Sequence, residues 1–281
     1  MTDAHVEAPF HELTPLHASE TPYDEETLRS LHADADLVVA RYPQKRSALL
    51  PLLHLIQSVD GYVTGRGVSF CAQKLELTDA EVSGVATFYT QYKRHPNGEY
   101  TVGVCTNTLC AVMGGDLIFD TLSEYLGIGH DETTPDGKVT LERVECNAAC
   151  DYAPVVMANW EFIDNQTPAS ATQLVDDLRA GKEVRPTRGA ARVCSFKHVS
   201  RVLAGFNDGL ADEGVGAGGP SLEGLRLAKA DGFDPYASSG EIRGDSDAES
   251  PADDMAPGLA GSTDTPANPA DSKAGEKAGD K

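Results

Sequence analysis

Positive charge is scarce in this 281-residue chain: 23 Lys and Arg face 44 Asp and Glu, for a formal net charge of −21. Phosphate backbones would be repelled by such a surface, so the sequence argues against a nucleic-acid partner. Apolar runs long enough to span a bilayer are also missing. The opening residues Met1-Thr-Asp-Ala-His-Val-Glu7 lack the basic-then-apolar order of an export signal. The expectation is a cytoplasmic protein with no direct membrane insertion. No strand-like run is followed by G-x-G-x-x-G, so no dinucleotide site is expected here. Close cysteine pairs exist, but none has the C-x2-C spacing common in structural zinc sites.

What is present is ordinary for a soluble globular chain, with 40% hydrophobic and 24% charged residues. The acid is unevenly spread. Residues 205–281 carry 16 Asp and Glu against 6 Lys and Arg, with 14 Gly, 6 Pro and few large apolar side chains. Such a segment cannot bury enough surface to offset its chain entropy. The sequence therefore predicts an acidic, Gly/Pro-rich disordered tail over 207–281.

Ahead of the tail, periodicity divides the chain. After a polar leader over 1–23, Leu28, Leu31, Ala35, Val38, Val39 and Tyr42 recur at helical spacing. A second helix follows Ser47, with Pro51 in its first turn, and ends near Gly61. A third begins around Val68 and carries Cys71, and Thr78-Asp-Ala-Glu81 is a capping box for a fourth. Together they predict a helical bundle over 24–95. Beyond the Pro96-Asn97-Gly98 turn, strands are expected at 99–105 and 138–145, helices at 116–126 and after Thr167-Pro168, and a hairpin over 154–163. This is an α/β sandwich of thioredoxin-like size over 96–182. A basic arm over 183–206 follows, in which Arg185, Arg188, Arg192, Lys197 and Arg201 are interleaved with Val193, Phe196 and Val199. That mixture predicts an arm lying on a partner protein.

Six cysteines in a reducing compartment are better explained as ligands and buried thiols than as disulfides. Four form two close pairs, Cys105-x4-Cys110 and Cys146-x3-Cys150, each where a strand-like run ends. Two such loops can face each other and close four sulfurs around two irons. By spacing, Cys105 and Cys110 would hold one iron and Cys146 and Cys150 the other. Zinc also takes four thiolates in a tetrahedron and is the rival occupant, with a structural interaction module as the corresponding function. Cys71 and Cys194 read as an ordinary buried thiol and an incidental one.

The residues around these cysteines carry a more specific signal. Ala48-Leu-Leu-Pro-Leu-Leu-His-Leu-Ile-Gln57, Gly61-Tyr62 and Val85-Ala-Thr-Phe-Tyr-Thr-Gln91 precede Val104-Cys-Thr-Asn-Thr-Leu-Cys110, Val144-Glu-Cys-Asn-Ala-Ala-Cys150 and Ala153-Pro-Val-Val156. In order and spacing the chain, from about Leu28 to Arg185, resembles the E-subunit family of NADH-quinone oxidoreductase, the two-iron thioredoxin-like ferredoxins of respiratory complex I. The resemblance implies a fold with an N-terminal helical bundle and a thioredoxin-like [2Fe–2S] ferredoxin domain. It also implies one [2Fe–2S] cluster on Cys105, Cys110, Cys146 and Cys150, close to the FMN of a partner flavoprotein subunit that takes hydride from NADH. FMN and NADH would be bound by that partner, not by this chain. The iron–sulfur subunit of the peripheral arm would be a second neighbour, at the cytoplasmic face of the membrane. An equivalent subunit of a soluble NAD-linked hydrogenase or formate dehydrogenase shares these motifs and is the alternative within electron transfer. No catalysis is expected from the isolated chain.

The second loop departs from the family's usual Cys-Leu-Gly-Ala-Cys. Ala148 stands where glycine would give easy access to positive φ, which bears on the reduction potential rather than on ligation. Of the other suggestive residues, His54 is expected to be a satisfied interior histidine, and Phe88, Tyr89 and Tyr92 a packing stripe. Glu145 is expected to be solvated, and Gly114-Gly115 a helix entrance passing near the cysteines.

Overall fold

The computed structural model describes residues 21–209 and 216–232. The leader up to residue 20 and the tail beyond 232 lie outside the described residues. The chain divides into two compact units, Met1–Gly224 and Leu225–Lys281. Of the second, only residues 225–232 are described, the later part of a helix and the turn after it.

The first unit begins with helices whose ends follow from local chemistry. Helix α1 (Glu25–Val39) is capped by the Asp24 carboxylate, which accepts from the Thr27 N–H at 2.9 Å, and Glu25 and Glu26 sit at the positive end of its dipole. Helix α2 (Leu49–Asp60) has Pro51 in its first turn and stops at Gly61, which adopts φ +86°. Helix α3 (Gly65–Leu75) starts three residues earlier than the periodicity suggested because Thr64 caps it. Its Gly67 lies so close to Ile56 of α2 that a Cβ could not be accommodated. Helix α4 (Asp79–Phe88) begins with the expected capping box between Thr78 and Glu81. Leu31, Val38, Leu52, Leu53, Ile56, Val68, Cys71 and Val82 share the core that these helices enclose.

Strand β1 (Tyr100–Cys105) leads through a short helix, α5 (Thr108–Val112), and α6 (Gly115–Leu126) to strands β2 (Glu132–Thr133) and β3 (Val139–Val144). Strands β4 (Val156–Ala158) and β5 (Glu161–Ile163) form the expected hairpin, and α7 (Pro168–Arg179) follows. The sheet order is β2-β3-β1-β4-β5, with β1 parallel to β3 and antiparallel to β4. Alternation along β1 sends Val102 and Val104 into a core with Leu141 of β3, Ile118 and Leu122 of α6 and Val175 of α7. Thr101, Gly103 and Cys105 take the other face. There Glu142 of β3 forms a buried ion pair with Lys93, while the Gln57 side chain accepts from the Lys93 N–H at 2.7 Å and donates to the Gln91 carbonyl. These contacts tie α2 and the chain after α4 to the sheet.

Two expectations are corrected here. The basic segment 183–206, expected as an arm, packs on its own chain. Val193 and Phe196 are buried, the Phe196 N–H donates to the Glu99 carbonyl at 2.8 Å, and α8 (Phe196–Leu203) lies against α2. Its cations find internal acceptors: Arg188 pairs with buried Asp164 and stacks on Phe162, Lys197 donates to the Val59 carbonyl, and Arg201 pairs with Asp34. The physical reason is that α8 packs along α2, while Ala204 at its end joins the helical core and Phe206 lies against it. The tail, expected to be unstructured from 207, includes α9 (Gly219–Ala230), in which Pro220 stands in the first turn, good helix formers fill 225–230 and no residue is buried.

Because Phe196 is 1% exposed and in ring contact with Trp160, Phe196→Ala should destabilise the chain by about 3–5 kcal/mol. Denaturant unfolding compared with the wild type measures it. A change below about 1 kcal/mol would mean that the segment is a detachable arm after all.

Candidate metal centre

Both cysteine loops leave the same end of the sheet, because β1 and β3 run parallel and Cys105 is in register with Val144. Cys105 is the last residue of β1, and its N–H donates to the Val155 carbonyl at 3.0 Å. Asn107 caps α5, accepting from the Thr108 N–H, so that Cys110 is carried on one helical turn. The same Asn107 donates through Nδ2 to Glu145 Oε2 at 2.8 Å, joining the first cysteine loop to the second. After β3 come Cys146 and then Cys150, which opens a single 3-10 turn.

The four sulfurs line one cavity of about 230 Å³, walled otherwise by Asn107, Thr108, Leu109 and Val112. Cys105 and Cys110 are its buried side, Cys146 and Cys150 its exposed side. Cys146 Sγ and Cys150 Sγ are 3.6 Å apart. Two sulfurs bound to one tetrahedral metal at ~2.3 Å stand ~3.7 Å apart, so this pair already has a metal-ready spacing. The Ala148 N–H points at Cys146 Sγ at 3.4 Å. Ala148 does so by adopting φ +53°, the left-handed region, so the loop keeps the conformation a glycine would favour and bears the cost of a Cβ there.

Burial, with the neighbouring Cys105 and Cys150, pushes the Cys110 thiol up to about 11, partly offset by a backbone hydrogen bond from Val155. The hydrogen bond and charge of Cys146, above all, raise Cys150. Without a cation these two are thiols at neutral pH. A metal supplies the positive charge that lets them ionise, and its binding releases protons.

Gly115 is what lets α6 start against this site. A Cβ at that position would press into the Cys105 carbonyl oxygen and stand 2.9 Å from the Cys110 carbonyl oxygen. Gly114, at φ +110°, makes the preceding turn. Of the lining residues, Leu109 and Val112 are large apolar side chains left exposed, and Met113 and Leu117 just beyond them in sequence are exposed too.

The remaining candidates fall elsewhere. Cys71 is wholly buried in the helical core, where burial pushes its thiol up to about 12, and Cys194 is half-exposed before α8; neither lines the cavity. His54 is interior as expected and is kept neutral by burial, which lowers it to about 4, yet its Nδ1 has no hydrogen-bond partner among the described residues. Its ring packs on Tyr92 at 4.9 Å. Tyr92 is buried, but Phe88 and Tyr89 are exposed, at 77% and 45%, because α4 ends at Phe88 and the chain turns outward. Glu145 is held by Asn107 rather than simply solvated. Sequence reasoning missed α5 and the role of Asn107; an Asn directly before Thr-Leu-Cys-Ala-Val is an N-cap signal that could have found both.

Two cysteine pairs gathered at one end of a mixed sheet with helices packed on one face give a thioredoxin-like fold, and the sequence model of the thioredoxin-like [2Fe-2S] ferredoxins matches residues 35–179. The E subunit of the NADH-quinone oxidoreductase of Mycobacterium bovis is 62% identical over 208 residues, covering 74% of this chain and 82% of that protein. NADH-quinone oxidoreductase subunit 2 of Thermus thermophilus is 38% identical over 148 residues, 52% of this chain and 82% of the relative. Among solved structures, an NAD+-reducing [NiFe]-hydrogenase aligns with a TM-score of 0.43 and 19% identity, over 47% of this chain and 23% of that one. The chain belongs to the thioredoxin-like [2Fe-2S] ferredoxin family and, within it, to the E subunits of NADH-quinone oxidoreductase, an oxidoreductase complex. Among the described residues no helix is long and apolar enough to cross a membrane.

Two measurements test the site. Gly115→Ala should sharply reduce iron bound per chain, whereas Ala148→Gly should preserve it and raise stability by about 1 kcal/mol. Equal iron content in wild type and Gly115→Ala would refute the close approach. The second concerns pH. In the metal-free fold, Cys110 and Cys71 bind their protons more tightly than free thiols do. That stability is complete below the ordinary thiol value near 9 and is lost as pH rises through the folded values, about 11 and 12. Melting temperature should therefore fall between pH 9 and 12, and fall less in Cys71→Ala than in wild type when each is compared with itself at pH 8.

Proposed function

We propose that Cys105, Cys110, Cys146 and Cys150 together hold one [2Fe–2S] cluster, and that this chain is the electron-transfer subunit of an NADH-quinone oxidoreductase. In this reading it exchanges single electrons with the FMN of a partner flavoprotein subunit that binds NADH, and it adjoins the iron–sulfur subunit of the peripheral arm at the cytoplasmic face. The observation that carries the proposal is the convergence of all four thiols on one cavity. When bound, the cluster supplies a one-electron acceptor, which neither thiols nor zinc can provide.

The chain's own residues do the rest. With inorganic sulfide completing the coordination, four thiolates would serve two tetrahedral irons, two to each, without a spare. N–H groups of Ala148 and Val155 aim at sulfur, a contact that stabilises the more negative, reduced state. Cys105 and Cys110 sit on the buried side, away from water, while Cys146 and Cys150 lie near the surface where an electron partner can approach. Exposed Leu109 and Val112 at the cavity, with exposed Met113 and Leu117 following in sequence, offer apolar surface suited to a protein contact that excludes water. The three segments 24–95, 96–182 and 183–206 would then act as one body, the first presenting helical surface to the flavoprotein.

The purified, iron-loaded chain should absorb in the visible and give a paramagnetic signal on one-electron reduction. Single Ser replacements of Cys105, Cys110, Cys146 or Cys150 should abolish or strongly perturb both, and Cys71→Ser and Cys194→Ser should leave them intact. A colourless protein that copurifies with zinc alone would defeat the electron-transfer reading.

A further inference from the structure

Outside the four-cysteine cavity, three side chains of different donor type converge: Cys194 Sγ, a ring nitrogen of His198 and a carboxylate oxygen of Asp208 lie within 4.8 Å of one another. We propose that they form a binding site for a divalent late first-row metal ion, zinc in the first instance, separate from the four-cysteine centre. One thiolate, one imidazole and one carboxylate are a donor set that zinc accepts, with water in the fourth position. Two of the three donors would be anionic, which offsets the charge of the ion among the cations of α8.

The geometry is held in place by contacts independent of these three side chains. Asn159 Nδ2 donates to the Cys194 carbonyl at 2.8 Å and to the Glu99 carbonyl at 3.0 Å, fixing the backbone at Cys194 against the start of β1. Two residues on, the Phe196 N–H is bound to the same Glu99 carbonyl, and Phe196 is buried. Ser195 caps α8, accepting from the His198 N–H, so His198 stands one helical turn after Cys194 on a helix packed against α2. The chain then reverses at Gly205, φ +99°, and Phe206 is seated under Arg201 at 4.1 Å, which returns Asp208 to the first turn of α8. Asp208 Oδ2 meets His198 Nε2 at 2.7 Å.

An ion pair between those two groups is the simpler use of that contact, and it leaves the Cys194 thiol unexplained. Ligand atoms sharing a tetrahedral zinc stand ~3.3–3.7 Å apart. Admitting the ion therefore asks the His198 and Asp208 donor atoms to separate by about 1 Å or less, at two partly exposed side chains. The consequence of binding would be local: the ion would pin residue 208 to α8.

Equilibrium dialysis of the full, iron-loaded chain against zinc, with zinc and iron both measured per chain, tests the site. One zinc should be retained with iron content unchanged, and His198→Gln and Cys194→Ser should each weaken retention by roughly tenfold or more. Because neither residue lines the four-cysteine cavity, their effect on zinc is separable from whatever fills that cavity. No zinc retained, retention unaltered by both substitutions, or zinc gained only as iron is lost would each overturn the proposal.

Discussion

Parallel pairing of β1 with β3 is the constraint on which the rest of the molecule depends. Parallel strands end at the same edge, so the residues that follow Cys105 and those that follow Val144 leave side by side. Had the pairing been antiparallel, the two half-sites would emerge at opposite ends of the sheet. A parallel pair also needs a crossover, and the chain supplies α5 and α6 for it. The start of that crossover therefore lies against the very strand end that carries Cys105, which is why Gly115 has no room for a side chain.

Electrostatics then shapes what the site can hold. Burial first, and the neighbouring thiols after it, raise Cys110, whereas Cys146 above all raises Cys150, so the four thiols of this small cavity resist joint ionisation. The fold answers it in part with backbone N–H groups, from Ala148 towards Cys146 and from Val155 towards Cys110. The Asn107–Glu145 hydrogen bond holds the two loops together but places a carboxylate beside Cys146, which opposes further negative charge there. With a cluster bound there, donors that favour its reduced state and an acid that disfavours it would sit within one loop pair. Exchange of Ala148 for glycine relieves backbone strain without touching either.

Much of this was readable in the sequence because it rests on short-range rules. Capping at Thr78 and Thr167, the strand alternation leading to Cys105, the hairpin after Ala153-Pro154 and the four cysteines all follow from residues a few positions apart. What escaped depended on distant partners. Helix α5 is too short to show periodicity, and Asn107 reveals its second role only when Glu145 arrives from 38 residues away. The basic segment 183–206 looked unpartnered because Asp34, Asp164 and the Val59 carbonyl, which satisfy it, are remote in sequence. Exposure of Phe88 and Tyr89 likewise follows from where the chain turns, which their spacing alone could not show.

The register of Cys105 with Val144 has a consequence for the order of events in biosynthesis. Each cysteine pair is local, but bringing the pairs together closes a loop of roughly forty residues, and such non-local pairing is the slow part of folding. A ribosome that has released only the first pair presents half of the four-cysteine cavity. On the proposed reading, loading of the site would therefore wait on strand pairing, because the four thiols face one another only once the scaffold has closed.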